Sequence, residues 1–252
     1  MPAPINELKK RLSAKECLIG CWASLADAYV TEVTARAGFD WVLLDGEHAP
    51  GDLRSLVSQL QALGDTPAVV RLPAGDPVAI KQVLDIGAQT LLIPMVESAE
   101  EAAMLVRACR YPPRGTRGVG AALGRASRFG AITDYQATAD EQICLIVQVE
   151  NRAGLAALDA ILALEGVDGV FIGPADLAAD MGLAIDDPAA EKTVLDALAR
   201  IEATAKFAGV FSTSQAFLAR AKDAGTSFLG VAADSLALSE ALRARATAWK
   251  KA

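Results

Sequence analysis

Nitrogen and sulfur ligands are scarce in this chain. Histidine occurs once in 252 residues, as His48, and the four cysteines form no CxxC pair. The cysteines are Cys17, Cys21, Cys109 and Cys144. Structural zinc sites are built from closely spaced cysteine and histidine ligands, so the sequence argues against a cysteine metal site. We expect the four cysteines to be buried reduced thiols, as is typical of a cytosolic protein.

The chain also lacks an excess of basic residues and a long apolar run. Its 24 lysine and arginine residues are outnumbered by 31 acidic residues, which gives a formal net charge of -7. Nucleic acids and anionic membranes bind basic surfaces, so neither is an expected partner. The start, MPAPINELKKRLSAKE, has no apolar signal-peptide core, and no apolar run reaches the roughly 18 residues that cross a bilayer. We therefore expect a cytoplasmic protein.

A repeated pattern indicates the fold. Four times, a helical stretch ends in glycine and is followed, after two or three residues, by an apolar run that ends in a polar residue. These stretches are ARAGFDWVLLDGEH, LDIGAQTLLIPMVES, LEGVDGVFIGPAD and KDAGTSFLGVAAD. Further apolar runs at 18–24, 67–73, 144–150 and 208–214 bring the predicted strands to eight. The runs lack strict alternation, as expected for parallel strands buried on both faces.

Eight strands that alternate with helices in about 250 residues are typical of a (β/α)8 TIM barrel, and we predict a single α/β domain over residues 1–252. A doubly wound open sheet is the alternative, but no GxGxxG motif follows the first strand. A short N-terminal helix is predicted at LKKRL. Residues 110–143 are rich in glycine and arginine and too long for an ordinary connection. We predict that this insertion caps an active site or contacts another subunit.

Polar residues stand at the predicted carboxyl ends of the strands, where barrel enzymes have their active sites. They are Asp45, Glu47, His48, Arg71, Glu97, Gln148, Glu150, Asp176, Ser212 to Ser214 and Asp234. A polar residue at such a position is often only a helix N-cap. We predict that role for Asp234 and local helix-start chemistry for Glu97, whereas for Asp176 capping and function both stay open.

Glu150 and Asp176 are the candidate metal ligands. Gln148 and Glu150 follow an apolar run and lie two residues apart, hence on one face of a strand. A carboxylate buried there needs a cation or a metal. Two acids from neighbouring strands suit a hard divalent ion such as Mg²⁺ or Mn²⁺. Arg71 is either a partner for a carboxylate or oxyanion of the substrate or an ion-pair partner of one of these acids.

The carboxyl ends of the strands form the open mouth of the predicted barrel. His48 is the candidate general base, because it is the side chain at this mouth that titrates near neutrality. An ordinary surface histidine is the alternative. The lysines lie on helices, at the terminus or at a strand start, so none is placed to form a Schiff base. Carbonyl chemistry assisted by a metal ion is the reaction type that remains.

Together these segments resemble the HpcH/HpaI aldolase/citrate lyase family, and within it the class II, metal-dependent pyruvate aldolases. The resemblance covers nearly the whole chain. Its most specific pieces are FDWVLLDGEHAP, VVRLP, LDIGAQTLLIPMVESAEEA, YPPRGTRGVG, IVQVE and VFIGPADLAADMG. It implies a (β/α)8 barrel, a homo-hexamer built as a dimer of trimers, and a divalent ion (Mg²⁺, Mn²⁺ or Co²⁺) without an organic cofactor.

The resemblance also implies residue roles. Glu150 and Asp176 would bind the metal, and His48 would be the base. Arg71 would stabilise the charge on the aldehyde or enolate oxygen. Asp85 matches the acid that makes this histidine more basic across a subunit boundary, although the sequence alone indicates only a helix-surface charge. The positions that would bind pyruvate are Arg71, Gln148, Gly173, Ala175 and Asp176. From its position beside the histidine, Asp45 is a candidate for orienting water at the metal.

The expected reaction is reversible aldol addition between the enolate of pyruvate, or of a hydroxypyruvate-like 2-oxoacid, and an aldehyde. Cleavage of 4-hydroxy-2-oxoacids releases pyruvate. Two departures from the family pattern, GVAAD at 230–234 and the polar end of AGVFSTS at 208–214, put the aldehyde in question. The open alternatives are a 2-keto-3-deoxy-sugar-acid aldolase of glucarate type, a CoA-thioester lyase of the same family and a non-catalytic barrel scaffold.

Overall fold

The computed structural model describes residues 1–251 and contains a closed barrel of eight parallel strands. The strands are β1 (Leu18–Ala23), β2 (Trp41–Asp45), β3 (Ala68–Arg71), β4 (Thr90–Ile93), β5 (Cys144–Val149), β6 (Gly169–Ile172), β7 (Phe207–Phe211) and β8 (Phe228–Ala233). The predicted α/β barrel is therefore confirmed. Strand β7 ends before the three polar residues that follow it, and the last of these, Ser214, caps the next helix.

Helices alternate with the strands around the barrel. They are α1 (Glu7–Ser13), α2 (Ala28–Ala35), α3 (Leu53–Ala62), α4 (Pro77–Asp85), α5 (Ala99–Cys109), α6 (Tyr135–Gln142), α7 (Arg152–Leu162), α8 (Pro174–Asp180), α9 (Pro188–Glu202), α10 (Gln215–Asp223) and α11 (Asp234–Lys250). Asp76 shows how they begin: its carboxylate accepts the first-turn N–H groups of α4, which starts with Pro77. Among residues 1–251, no helix has the length and apolar character of a membrane span.

Aromatic side chains fill the inside of the barrel. Trp41 stacks on Phe228 with 4.1 Å between ring centroids, and Phe171 and Phe207 pack edge-on against the same phenylalanine. Gly20 makes room for this layer, since a Cβ there would lie 2.1 Å from the Trp41 indole. A larger aliphatic cluster lies between the strands and the helices. The strands are thus buried on both faces, as the unalternating apolar runs predict.

Two predictions made for single residues are wrong. Asp234 does not cap α11 but is its first residue, and no side-chain cap bond forms there. Its carboxylate instead accepts the Ser24 N–H and hydroxyl, each at 2.9 Å, and the Leu25 N–H at 3.3 Å. Because β8 pairs with β1, this acid ties the loop after β1 to the end of β8. The cysteines are free thiols, but Cys17 is exposed because it lies in the turn before β1.

The insertion at 110–143 packs against the N-terminal segment. It contains 3-10 turns at Ala121–Leu123 and Arg125–Ser127 and then α6. The Ala3 N–H donates to Thr138 Oγ1 at 2.8 Å, and further along the same segment Asn6 is hydrogen-bonded to Gln142. Apolar residues from both segments form a small buried cluster of their own. The insertion and the start of the chain therefore hold each other in place beside the barrel.

Candidate active site

Asp45 and Arg71 form a buried ion pair at the carboxyl ends of β2 and β3, where they are register partners. Arg71 donates from Nε to Asp45 Oδ1 at 2.9 Å and from Nη2 to Oδ2 at 2.7 Å. Its third nitrogen, Nη1, lies 2.8 Å from Glu47 Oε2. The ion pair that the sequence left open for Arg71 is therefore present, and the role toward substrate stays a prediction.

Asp45 also shapes the turn that carries His48. Its Oδ1 accepts the backbone N–H groups of Glu47 and His48 at 3.0 and 3.3 Å. Burial opposes the charged form of Asp45, but the hydrogen bonds and charge of Arg71, with these N–H groups, hold its pKa below the ordinary value. The observed contacts of Asp45 are thus to Arg71 and the turn, and its predicted role in orienting water is not tested by them.

His48 lies on the rim of the mouth. Its side chain is 68% exposed, and its Nε2 is 3.8 Å from Glu47 Oε2. Burial raises the pKa of Glu47, while the charges of Arg71 and His48 oppose that rise. The imidazole is therefore open to a substrate and has a carboxylate beside it, an arrangement that suits a general base.

Glu150 is a buried acid directly after β5, with 2% of its surface exposed. Its Oε1 accepts the Met95 N–H at 2.8 Å, and its Oε2 accepts Nε2 of Gln148. Burial raises the pKa of Glu150; the two donors oppose the rise, and the charges of Asp176 and Glu47 add to it. Within residues 1–251, no lysine, arginine or histidine forms an ion pair with Glu150. A buried carboxylate that has no ion-pair partner is suited to bind a metal ion.

Asp176 lies in the first turn of α8 with an exposed side chain. Helix α8 starts after Gly173, so the capping role left open for Asp176 is wrong. Gly173 allows its backbone to approach the other polar groups closely. A Cβ at this position would lie 2.4 Å from Glu150 Oε2 and 3.1 Å from Gln148 Nε2. The backbone at Gly173 therefore adjoins the two polar side chains at the end of β5, and the role of Ala175 toward pyruvate stays a prediction.

Asp85, the last residue of α4, pairs with an arginine of the insertion. Arg117 Nη2 donates to Asp85 Oδ1 at 2.7 Å, and the Arg117 side chain is 0% exposed. Within residues 1–251, no hydrogen bond or ion pair joins Asp85 to His48. The link between these two residues that the resemblance implies thus stays a prediction about neighbouring subunits.

Two residues of the mouth, Trp22 and Met95, were not singled out from the sequence. The guanidinium carbon of Arg71 lies 5.8 Å from the Trp22 ring centroid. Met95 follows β4 and donates its N–H to Glu150. Trp22 lies near the end of a predicted strand and Met95 just after one, and these positions are the sequence signal that could have identified both residues.

The donor set fits a hard divalent ion that binds together with its substrate. Within residues 1–251, no group of three or more His, Cys, Asp or Glu side chains is arranged to hold a metal. Glu150 and Asp176 offer carboxylate oxygens. Gln148 Oε1 is buried and has no hydrogen-bond partner within residues 1–251. Mg²⁺ and similar ions take few protein ligands and complete their shell with water and substrate oxygens. The residues present match that behaviour.

Residues 18–241 match the HpcH/HpaI aldolase/citrate lyase family. The chain belongs to this family. It is 57% identical over 254 residues to the hydroxypyruvate/pyruvate aldolase of Roseovarius nubinhibens, covering 99% of each protein. It is 47% identical to the 4-hydroxy-2-oxo-heptane-1,7-dioate aldolase of Salmonella arizonae, over 98% of this chain and 96% of that protein. These matches confirm the family resemblance drawn from the sequence.

A solved structure supports the same assignment. The crystal structure of a family protein from Burkholderia cenocepacia J2315 is 39% identical and superposes with a TM-score of 0.90 over 98% of each chain. The two proteins therefore share the same overall fold along nearly their whole length.

Proposed function

We propose that the chain is a metal-dependent aldolase. It adds the enolate of pyruvate, or of a hydroxypyruvate-like 2-oxoacid, to an aldehyde, and in reverse it cleaves 4-hydroxy-2-oxoacids. The observation that carries the proposal is Glu150, a buried carboxylate at the end of β5 that accepts hydrogen bonds from Met95 and Gln148 and forms no ion pair within residues 1–251. The names of the relatives, a hydroxypyruvate/pyruvate aldolase and a 4-hydroxy-2-oxo-heptane-1,7-dioate aldolase, support the same reaction.

Glu150 and Asp176 would hold the divalent ion at the mouth. When bound, such an ion polarises the 2-oxo group of the substrate and makes its C3 protons more acidic. Gln148 and the backbone of Gly173 would orient the 2-oxoacid, because they adjoin Glu150. Ala175, two residues after Gly173 in the first turn of α8, would take part as the family resemblance implies. Mg²⁺, Mn²⁺ and Co²⁺ are the ions to test.

His48 would remove a proton from C3 of the bound 2-oxoacid. The exposed imidazole can reach a substrate at the rim, and its Nε2 lies 3.8 Å from Glu47 Oε2. Asp85 of the partner subunit would make His48 more basic, as the family resemblance implies. The enolate carbon is then ready to attack the aldehyde.

Arg71 would hold the aldehyde oxygen while the carbon–carbon bond forms. Asp45 accepts from Nε and Nη2, so Nη1, which lies 2.8 Å from Glu47 Oε2, would be the nitrogen that contacts the aldehyde oxygen. An oxygen that becomes negative there gains a charge-assisted hydrogen bond. The aldehyde carbon gains the bond to C3 and its oxygen gains a proton; cleavage breaks that bond and returns a proton to C3.

A retro-aldol assay over a panel of 4-hydroxy-2-oxoacids tests the proposal, with pyruvate release as the readout. We expect turnover that EDTA abolishes and that added Mg²⁺, Mn²⁺ or Co²⁺ restores. Full activity in EDTA would contradict the metal mechanism. Release of pyruvate from no member of the panel would favour the non-catalytic scaffold.

Proton exchange separates the two proposed catalytic side chains. In D₂O, His48→Ala should nearly abolish deuterium incorporation at the pyruvate methyl group, as measured by NMR. Arg71→Lys should keep much of this exchange, because no aldehyde takes part in it. Exchange at the parent rate in His48→Ala would show that the base lies elsewhere.

We also propose a homo-oligomer, a hexamer built as a dimer of trimers. Along the 17 residues of α11, Asp234 alone is buried within the described structure. The exposed apolar side chains are Leu236, Leu238, Leu242 and Trp249. Apolar surface of this kind marks contacts between proteins. Sedimentation should give six times the chain mass of 26.2 kDa, and termination after residue 235 should lower the oligomeric state; a monomeric parent chain would contradict the proposal.

A further inference from the structure

Met95 adopts a backbone conformation that its own side chain disfavours. It follows β4, and its φ of 56° lies in the left-handed region that residues with a Cβ avoid. The side chain is 46% exposed, so burial of the thioether does not account for the conformation. Strained backbone persists where the surrounding structure imposes it, and it is concentrated at functional sites.

The hydrogen bonds of this loop supply a reason for the strain. The Met95 N–H donates to Glu150 Oε1 at 2.8 Å, and the Val96 N–H donates to the Gln148 carbonyl at 3.0 Å. Successive N–H groups of an extended chain point to opposite sides, whereas residues in helical conformations of either hand bring them to one side. The left-handed turn at Met95 therefore lets two neighbouring N–H groups reach the end of β5.

We propose that Met95 is a positioning residue whose left-handed backbone directs an N–H at Glu150 and so holds that carboxylate where it would bind a divalent ion. The inference rests on the proposed metal site. Within residues 1–251, each Glu150 oxygen has one donor, the Met95 N–H for Oε1 and Gln148 for Oε2. Without the Met95 N–H, the buried carboxylate is held at one oxygen and loses its fixed orientation.

Substitutions at Met95 separate the backbone from the side chain. Met95→Val introduces a β-branched residue, which tolerates the left-handed region least. Met95→Gly keeps the N–H and removes the strain, and Met95→Ala removes the thioether alone. Phe129→Val is the matched control, because Phe129 is exposed in the insertion and has the same φ of 56°. Met95→Thr is a second β-branched variant for the case that Met95→Val folds poorly.

The readout is the Kd for Mn²⁺ of the full chain after removal of metal with a chelator, measured from the electron paramagnetic resonance signal of free Mn²⁺. We expect Met95→Val and Met95→Thr to weaken binding by about 10-fold or more, the range seen when a residue that supports a metal ligand is lost. Met95→Gly, Met95→Ala and Phe129→Val should stay within about threefold of the parent, a smaller change than that range.

The other possible results distinguish a failure of the Met95 inference from a failure of the proposed metal site. An unchanged Kd in both β-branched variants overturns the inference. An equal loss in Met95→Ala overturns it too, because the side chain rather than the backbone would then matter. Glu150→Gln tests the metal site itself: if it binds Mn²⁺ like the parent, the proposed site and the role of Met95 fail together. If Glu150→Gln loses binding while the β-branched variants keep it, only the Met95 inference fails.

Discussion

Two buried arginines, Arg71 at the barrel mouth and Arg117 in the insertion, are held in different ways. Arg71 contacts carboxylates through three nitrogens, two on Asp45 and one on Glu47. Arg117 contacts one carboxylate through Nη2, and its Nε and Nη1 have no hydrogen-bond partner within residues 1–251. The Arg117 guanidinium carbon instead lies 4.4 Å from the centre of a tyrosine ring.

The difference indicates what each arginine does. Two carboxylates fix both the position and the plane of the Arg71 guanidinium, which is the orientation that stabilisation of a reacting oxygen requires. Arg117 is held by packing and by the aromatic ring, and its charge is paired with the carboxylate of Asp85. Substitution of Arg71 should therefore change the chemistry more than the fold, and substitution of Arg117 should change the fold more.

Arg71→Lys should have the largest effect. An ammonium group cannot make the two-pronged contact with Asp45 and also present a further N–H to the aldehyde oxygen. We expect kcat/KM for retro-aldol cleavage to fall about 10²- to 10³-fold, as when one oxyanion donor is lost. The thermal unfolding midpoint should change little. Arg36→Lys, at an exposed arginine that pairs with Glu32, is the matched control; an Arg71→Lys enzyme with similar kcat/KM to this control would remove Arg71 from the chemistry.

Arg117→Met should lower the free energy of unfolding by about 2–3 kcal/mol, because removal of one partner leaves Asp85 as an uncompensated, partly buried charge. The double variant Arg117→Met, Asp85→Asn should recover part of that loss, since no charge is then stranded. Urea unfolding at one fixed protein concentration measures both, because the stability of an oligomer depends on concentration. Additive losses in the double variant would show that the stranded charge of Asp85 is not the cause of the loss in Arg117→Met.

Much of the mouth could be predicted from the sequence. WVLLD, VVRLP and CLIVQVE are apolar runs with polar residues at their carboxyl ends. In a closed parallel barrel those ends face one opening, so Asp45, Arg71 and Glu150 had to lie at the same end. Local patterns also locate most helix starts, because an acid or hydroxyl side chain accepts the free N–H groups there.

The remaining features depend on contacts between distant residues. Asp234 binds Ser24, 210 positions away, and Arg117 binds Asp85, 32 positions away. No local pattern distinguishes these acids from ordinary caps or surface charges. The positive φ of Met95 is likewise invisible in the sequence, since a residue other than glycine takes that conformation only when its surroundings impose it. These features had to come from the structure.

The smallest effect is expected in the pH dependence of stability. The pKa values of Asp45, at the end of β2, and Glu150, after β5, are shifted in opposite directions. The pKa of Asp45 is lowered, so it contributes stability above its unfolded pKa of about 3.9 that is lost as pH falls through its folded pKa. The pKa of Glu150 is raised by burial, so ionisation of this acid destabilises the metal-free fold as pH rises from about 4.3 through the folded pKa.

Glu150→Gln should therefore make the metal-free protein more stable than the parent at pH 7, by an amount that shrinks as pH falls and disappears below the unfolded pKa of about 4.3, where Glu150 is protonated in both states. Urea unfolding in EDTA across this range measures the difference. Asp45→Asn should do the opposite and be less stable at pH 7, because it removes the charge that Arg71 faces. If the Glu150→Gln protein were less stable than the parent at pH 7, groups of the protein itself would already stabilise the ionised Glu150. The argument for a metal ion at Glu150 would then fail.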